Sequence, residues 1–272
     1  MYTKRLISAA VAALGLAIGA TSASASTVID LGFGIDDSGS VSASDFNLAI
    51  NGLASALNQI PIPDPADPDA VTYRISVVAF SSVAETLTEV PVTVIDSAAS
   101  LNSVITDVQS ISRLAGFTAI GTAIELLTQN FLDTGLGDST ILNVTTDGDN
   151  NRGISVAEGS DFALANGVDS LSFEAVGSGA VIAPLLEAAF PGTPVVIDDA
   201  ADLPDNILET SFVFEVDSFE DYEAAIAAKI GLIVETGGGG TPPPAPVPLP
   251  AGLPLLLVAL GALGIVRSRR TA

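Results

Sequence analysis

Three polar segments of the sequence carry side-chain oxygens that could bind a hard metal ion. The segment DDSGS, residues 36–40, directly follows an apolar run over residues 28–35, and DGD, residues 147–149, follows a second one over residues 141–146. Thr118 stands in a third segment, AGFTAIGTAI, which opens a helical pattern. Asp, Ser and Thr also form turns and helix caps, so each segment taken alone has a second, purely structural interpretation.

The composition limits the available chemistry to oxygen ligands. The chain of 272 residues contains no Cys and no His, which excludes disulfides, thiol nucleophiles, His general bases and the usual zinc ligands. It also lacks the Gly-x-Ser-x-Gly nucleophile motif and a phosphate-binding loop. Any metal is therefore expected to be a hard cation such as Mg²⁺, Ca²⁺ or Mn²⁺.

The charge of the central region argues against nucleic acid as a partner. All 32 acidic residues lie within residues 26–247, where the only basic residues are Arg74, Arg113, Arg152 and Lys229. Such a region repels phosphate backbones and anionic lipid, and it favours cations. We expect no nucleic-acid binding.

Both ends of the chain carry export signals. Residues 1–25 have a basic start, an apolar run and an Ala-Ser-Ala end, which is the pattern of a secretory signal peptide cleaved after Ala25. Residues 237–250 form a Gly- and Pro-rich linker. An apolar segment of about 14 residues follows, shorter than the roughly 20 needed to span a bilayer comfortably, and Arg267, Arg269 and Arg270 come after it.

The C-terminal segment, residues 247–272, begins with VPLPAG and closely resembles bacterial VPLPA-type (PEP-CTERM-like) sorting signals. The resemblance implies transient membrane insertion, processing by an exosortase-type protease, and export to the cell surface or extracellular matrix of a Gram-negative bacterium. A plain C-terminal membrane anchor is the alternative interpretation.

Between these ends, strand-like and helix-like patterns alternate. Strand-like runs cover residues 28–35, 73–80, 86–94, 141–146, 171–177 and 194–197. Three amphipathic stripes separate or follow them, the first over residues 46–57, the second over 120–131 and the third over 219–233. Ser44 is predicted to cap the first helix, and Ser218 with Asp221 to cap the last. The alternation predicts one α/β domain over residues 26–236, with a doubly wound, mostly parallel sheet covered by helices on both faces.

Ligands of such folds bind at the carboxyl ends of the strands, which is where the polar segments occur. Together these segments resemble the metal-ion-dependent adhesion site (MIDAS) of von Willebrand factor A (VWFA) domains. Asp36, Ser38 and Ser40 match the Asp-x-Ser-x-Ser motif of that site. Thr118 matches the Thr that precedes a Gly-x-Ala helix start in the family. Asp147 matches the Asp of an Asp-Gly pair that follows a later strand.

The resemblance implies a binding protein rather than an enzyme. These five residues would hold a divalent cation, Mg²⁺ in the first place and Mn²⁺ or Ca²⁺ as alternatives. With only two carboxylates in the set, the ion keeps net positive charge, and a carboxylate of a protein partner can complete its shell. Asp37 departs from the family pattern, and it either strengthens the site or faces solvent.

Two other functions compete with adhesion. The segments DSGS and DTG, which begin at Asp37 and Asp133, resemble the paired loops of aspartic proteases, whose two carboxylates share a proton to activate water. That family is almost entirely β, whereas Asp133 follows a helical pattern. The other alternative is a passive component of the surface or matrix.

Overall fold

A computed structural model describes residues 27–67 and 69–237, which build a single seven-stranded sheet. The strand order is β3-β2-β1-β4-β5-β7-β6, and every neighbouring pair is parallel except β2 with β3. The strands are β1 Val28–Asp36, β2 Thr72–Phe80, β3 Leu87–Ile95, β4 Ser139–Thr146, β5 Ser170–Val176, β6 Val195–Ile197 and β7 Phe212–Val216.

In the described part of the chain, six α-helices cover the two faces of the sheet. They are α1 Ala43–Leu57, α2 Ala98–Gln109, α3 Ile120–Thr134, α4 Val156–Ala165, α5 Ile182–Ala188 and α6 Phe219–Thr236. The apolar stripes of α1, α2 and α6 form one core with the sheet, and those of α3, α4 and α5 form the other. Because both faces are covered, the central strands are buried almost throughout, including the polar residues within β4 and β5.

The predicted fold class is confirmed, and so are the strand-like runs and the three helical stripes. Strand β7 and helices α2, α4 and α5 were not predicted from the sequence. One predicted cap is wrong: Ser42, not Ser44, is the N-cap of α1, and its hydroxyl accepts a hydrogen bond from the Asp45 N–H. Ser218 is the N-cap residue of α6, but its hydroxyl donates to the Asp221 carboxylate instead of accepting from the backbone.

A buried ion pair joins α6 to the sheet. The Nζ of Lys229 lies 3.5 Å from Oε1 of Glu174 on β5, and both side chains are almost inaccessible to solvent. Lys229 also donates to the side-chain oxygen of Asn143 on β4, whose amide donates to Glu174. Burial raises the pKa of Glu174 and lowers that of Lys229, while the attraction between them favours the charged forms.

None of the helices in this part of the chain combines the length and the apolar composition needed to cross a bilayer. The predicted signal peptide, most of the linker and the predicted sorting segment lie outside the described residues. Those predictions stay predictions.

Candidate metal site

The polar segments after β1 and β4 meet at the carboxyl edge of the sheet. These strands are parallel neighbours in a register that pairs Ile35 with Thr145, so Asp36 and Thr146 end their strands at the same level. The topology therefore brings together two loops that are about a hundred residues apart in sequence.

Hydrogen bonds connect the first and third predicted motifs directly. The hydroxyls of Ser38 and Ser40 lie 3.0 Å apart, and the Ser40 hydroxyl donates to Oδ1 of Asp147 over 2.6 Å. Asp36 accepts on both oxygens, from the Ser38 N–H at 2.8 Å and from the Thr146 hydroxyl at 2.6 Å. Four of the five predicted residues thus belong to one hydrogen-bonded group.

The fifth residue, Thr118, reaches the same place from the loop before α3. Its N–H donates to the side-chain oxygen of Asn151 over 3.0 Å, and its carbonyl accepts from the Asn151 N–H at 2.9 Å. A Cβ built on Gly148 would lie 3.6 Å from the Ser40 hydroxyl and 3.8 Å from that of Thr118, so both hydroxyls border Gly148.

Close contact between two helices fixes the start of α3. A Cβ on Gly121 would lie 2.2 Å from the Ser155 carbonyl oxygen, and one on Gly159 of α4 would lie 2.4 Å from the Gly121 carbonyl. Only residues without a side chain allow this approach. The contact holds the loop of Thr118 against the segment that follows Asp147.

Three residues that support the site were missed by sequence reasoning. Thr146 orients Asp36, Asn151 orients Thr118, and Arg113 donates to the carbonyls of Ser38 and Val41. Thr146 and Asn151 belong to the polar run TTDGDNN, residues 145–151, whose density of side-chain oxygens was a usable signal. No signal in the sequence pointed to Arg113, because its contacts with this loop depend on the tertiary fold.

Asp37 does not face solvent. Its side chain is buried, and Oδ2 accepts from the Leu114 N–H at 2.6 Å, so it holds the loop before Thr118. Its Oδ1 has no hydrogen-bond partner among the described residues. In the same loop Ala115 has a φ of 60°, a strained conformation for a residue with a side chain.

Burial perturbs the two carboxylates of the site. It raises the pKa of Asp36 from 3.8 to about 6, while the hydrogen bonds from Ser38 and Thr146 act in the opposite direction and the charge of Asp147 adds to the rise. Burial also raises the pKa of Asp147, against the hydrogen bond from Ser40. A bound cation at this edge would offset the cost of burying these two negative charges.

The donor set consists of oxygens, as a hard cation requires. Within the part of the chain that the structure describes, no three His, Cys, Asp or Glu residues are grouped to hold a metal. The candidate site combines the carboxylates of Asp36 and Asp147 with the hydroxyls of Ser38, Ser40 and Thr118. Beside it lies a cleft of about 310 Å³, lined in part by Ser40, Asp147 and residues 177–179.

The paired carboxylates of an aspartic protease are not brought together. Asp37 lies at the carboxyl end of β1, whereas Asp133 is exposed near the end of α3. The chain just beyond Asp133 contacts the opposite end of β1, because the Gly137 N–H donates to Asp30 over 2.7 Å. The two carboxylates are therefore at opposite edges of the sheet.

The sequence matches, over residues 26–177, the family described as protein of unknown function DUF1194. The chain belongs to this family. The match includes all five candidate ligands of the DUF1194 chain, and no curated protein matches it.

Solved structures similar to the DUF1194 chain include a von Willebrand factor type A protein, and the similarity shows a shared fold. The von Willebrand factor type A protein from Catenulispora acidiphila is 14% identical with a TM-score of 0.57, and the match covers 76% of this chain and 42% of that protein's chain. Proximal thread matrix protein 1 from the mussel byssus is 18% identical with a TM-score of 0.55, and the match covers 76% of this chain and 46% of that chain. The pilus adhesin SpaC from Lactobacillus rhamnosus GG is 11% identical with a TM-score of 0.53, and the match covers 77% of this chain and 30% of that chain. The chain spans less than half the length of each.

Proposed function

We propose that this domain binds a protein partner through a divalent cation held by Asp36, Ser38, Ser40, Thr118 and Asp147, with a carboxylate of the partner completing the shell. The observation that carries the proposal is the hydrogen-bonded chain Ser38–Ser40–Asp147. It places oxygens from two loops at the carboxyl edge of the sheet, where open α/β folds bind their ligands.

The similar proteins support a cation-dependent, adhesive role. A further structure of the mussel protein, 17% identical with a TM-score of 0.51, has zinc in its MIDAS motif. SpaC is named as a pilus adhesin. For this chain we propose Mg²⁺ as the principal cation, since the donors are hydroxyls and carboxylates without nitrogen or sulfur.

Binding of the cation can be tested without knowing the partner. We expect titration calorimetry of the full chain with Mg²⁺ or Mn²⁺ to show one site, and Asp36→Ala to abolish it. Asp133→Ala is the matched control, because that carboxylate is exposed at the other edge of the sheet. Unchanged metal binding in the Asp36 variant would overturn the assignment.

Partner binding is tested by pull-down from native envelope material with Mg²⁺ or with chelator. Capture that needs Mg²⁺ and is lost in Asp36→Ala supports cation-dependent recognition. Capture that survives both chelation and the substitution indicates the passive surface role instead. We propose no catalytic activity for this edge of the sheet.

We further propose that the protein is exported and sorted to the surface of a Gram-negative cell, because of the signal-peptide pattern and the VPLPA-type tail. Mass spectrometry of the mature protein tests both ends. We expect a new N-terminus at Ser26 and loss of the segment after the VPLPA motif. A retained tail would instead support a plain membrane anchor.

A further inference from the structure

The basic residues of the domain are distributed unevenly between buried and exposed positions. Arg74 and Lys229 form ion pairs with acidic residues of the sheet. Arg113 is half-buried and donates to backbone carbonyls of the loop after β1. Only Arg152 is exposed, and it makes no ion pair with any described residue. Among the described residues, Arg152 is therefore the one exposed positive charge without an ion pair.

Arg152 lies beside the candidate metal site. Its N–H donates to the carbonyl of Thr118 over 3.1 Å. Its guanidinium carbon lies 3.7 Å from the centre of the Phe117 ring, and its Nη1 donates to the Asn151 carbonyl. This stacking holds the guanidinium in place and leaves its other face and remaining donors available to a ligand.

Two large apolar side chains are exposed next to this cation. Phe117 is 48% exposed and Val83 is 49% exposed. The Phe117 N–H donates to the hydroxyl of Ser82, the neighbour of Val83, over 3.3 Å. A Cβ on Gly153 would lie 3.1 Å from Val83, so Val83 also borders the segment of Arg152. Val83, Phe117 and Arg152 therefore lie near one another beside Thr118, and we call these three residues the ridge.

We propose that this ridge of Val83, Phe117 and Arg152 is a docking surface for an acidic protein segment in which apolar side chains flank the carboxylate that reaches the metal. The proposal rests on the proposed function. Its basis is charge complementarity: the domain is strongly acidic, and here the cation and Arg152 together supply positive charge that outweighs the neighbouring carboxylate of Glu85. Aromatic and Arg side chains are also those that most often dominate binding energy at interfaces.

The cleft on the other side of the site predicts a different ligand. It is lined by Asp45, Asp147 and Ser218 among others, and would favour a basic residue next to the carboxylate. The ridge combines exposed apolar surface with a positive charge, whereas the cleft is lined by carboxylates, so the acidic, apolar-flanked segment is the one we propose. A preference for basic flanks is the contrary outcome of the test.

The probes are three labelled pentapeptides with a central Asp. In the first the Asp is flanked by Leu and Glu, in the second by Ser, and in the third by Lys. The same three peptides with a central Asn are the controls without the carboxylate. Binding to the full chain is measured by fluorescence polarisation in Mg²⁺ and in chelator. The variants are Phe117→Ala, Arg152→Ala, Arg152→Lys and Val83→Ala. Leu164→Ala on α4, 57% exposed, and Val196→Ala on β6, 41% exposed, are matched apolar controls.

We expect the Leu- and Glu-flanked Asp peptide to bind most tightly, and Phe117→Ala or Arg152→Ala to weaken it about tenfold. Mg²⁺ affinity, measured by calorimetry, should stay unchanged in both variants, and Arg152→Lys should retain part of the binding. The two controls should bind like the unmodified protein.

Failure of the ridge and failure of the metal site give different results. If Mg²⁺ binds and Asp peptides bind equally whatever their flanks, or prefer Lys, the ridge proposal is overturned while the metal site stands. If neither Mg²⁺ nor any Asp peptide binds, both fail. Equal loss of binding in the control variants would also overturn the ridge.

Discussion

The hydroxyl of Thr146 donates a 2.6 Å hydrogen bond to Oδ2 of Asp36, so the last residue of β4 orients the last residue of β1. Asp36 is buried and its other oxygen accepts from the Ser38 backbone. Thr146 is thus a positioning residue for the candidate metal site, although it is not among the proposed ligands.

Thr146→Val removes this hydrogen bond with little change in shape. We expect Mg²⁺ affinity to fall by about tenfold or more, as is typical when a residue that orients a metal ligand is lost. Titration calorimetry measures the effect, and Thr140→Val, at the opposite end of β4, is the matched control. Equal affinities for the Thr146 variant and the unmodified protein would contradict this role.

The stability of the metal-free protein should depend on pH through Asp36. Its pKa is about 6 in the folded protein against an ordinary 3.8, so between these values the folded state binds more protons than the unfolded state. The contribution of Asp36 to the free energy of unfolding therefore decreases as pH rises from about 4 through 6, by on the order of 3 kcal/mol in total.

Urea unfolding in chelator between pH 4.5 and 7.5 tests this, with Asp36→Asn as reference because Asn does not titrate. In chelator, the unmodified protein should lose stability relative to the variant as pH rises. With Mg²⁺ in place of the chelator, the stability of the unmodified protein should be restored above pH 6. A stability difference that stays constant with pH would argue against a raised pKa.

Removing one member of the buried ion pair should be costly. Lys229→Met leaves the Glu174 carboxylate buried without its cation, and we expect a loss of about 3–5 kcal/mol in the free energy of unfolding. The double variant Lys229→Met/Glu174→Gln should lose much less than the sum of the two single variants. Additive losses in denaturant unfolding would show that the two side chains are not coupled.

Gly121 is expected to resist even the smallest substitution. A methyl group there would lie 2.2 Å from the Ser155 carbonyl, so Gly121→Ala should destabilise the fold by about 1–3 kcal/mol. It should also weaken Mg²⁺ binding, since it displaces the loop of Thr118.

The matched control is Gly231→Ala in α6, whose added carbon would meet only the end of the Gln59 side chain at 3.2 Å. The control should be neutral or stabilising by up to about 1 kcal/mol. If Gly121→Ala unfolds like the control, α3 and α4 are less closely packed than described.

The sequence predicted most of the sheet because strands such as β1 and β2, which are buried on both faces, are largely apolar. Strand β2 and helix α3 have patterns long enough to be recognised alone. Helix α5 has seven residues and β7 has five, and patterns this short are ambiguous without their tertiary neighbours. The cap was assigned to Ser44 and not to Ser42 because several Ser residues lie close together, and only the backbone conformation selects one of them.

The five candidate ligands were found because their motifs end or precede regular elements. Their supporting residues depend on contacts between segments far apart in sequence. Asp37 illustrates the limit: a charged residue in a polar turn ordinarily faces water, yet here the loop before Thr118 covers it.

Helix α6 separates the candidate metal site from the last residue that the structure describes. The helix begins directly after β7, beside the metal edge, and its 18 residues extend about 27 Å towards the opposite edge. There Gly237 ends it, and the described chain starts at the same edge, where β1 begins. A change at Gly237 would therefore act at the edge of the sheet remote from the candidate ligands.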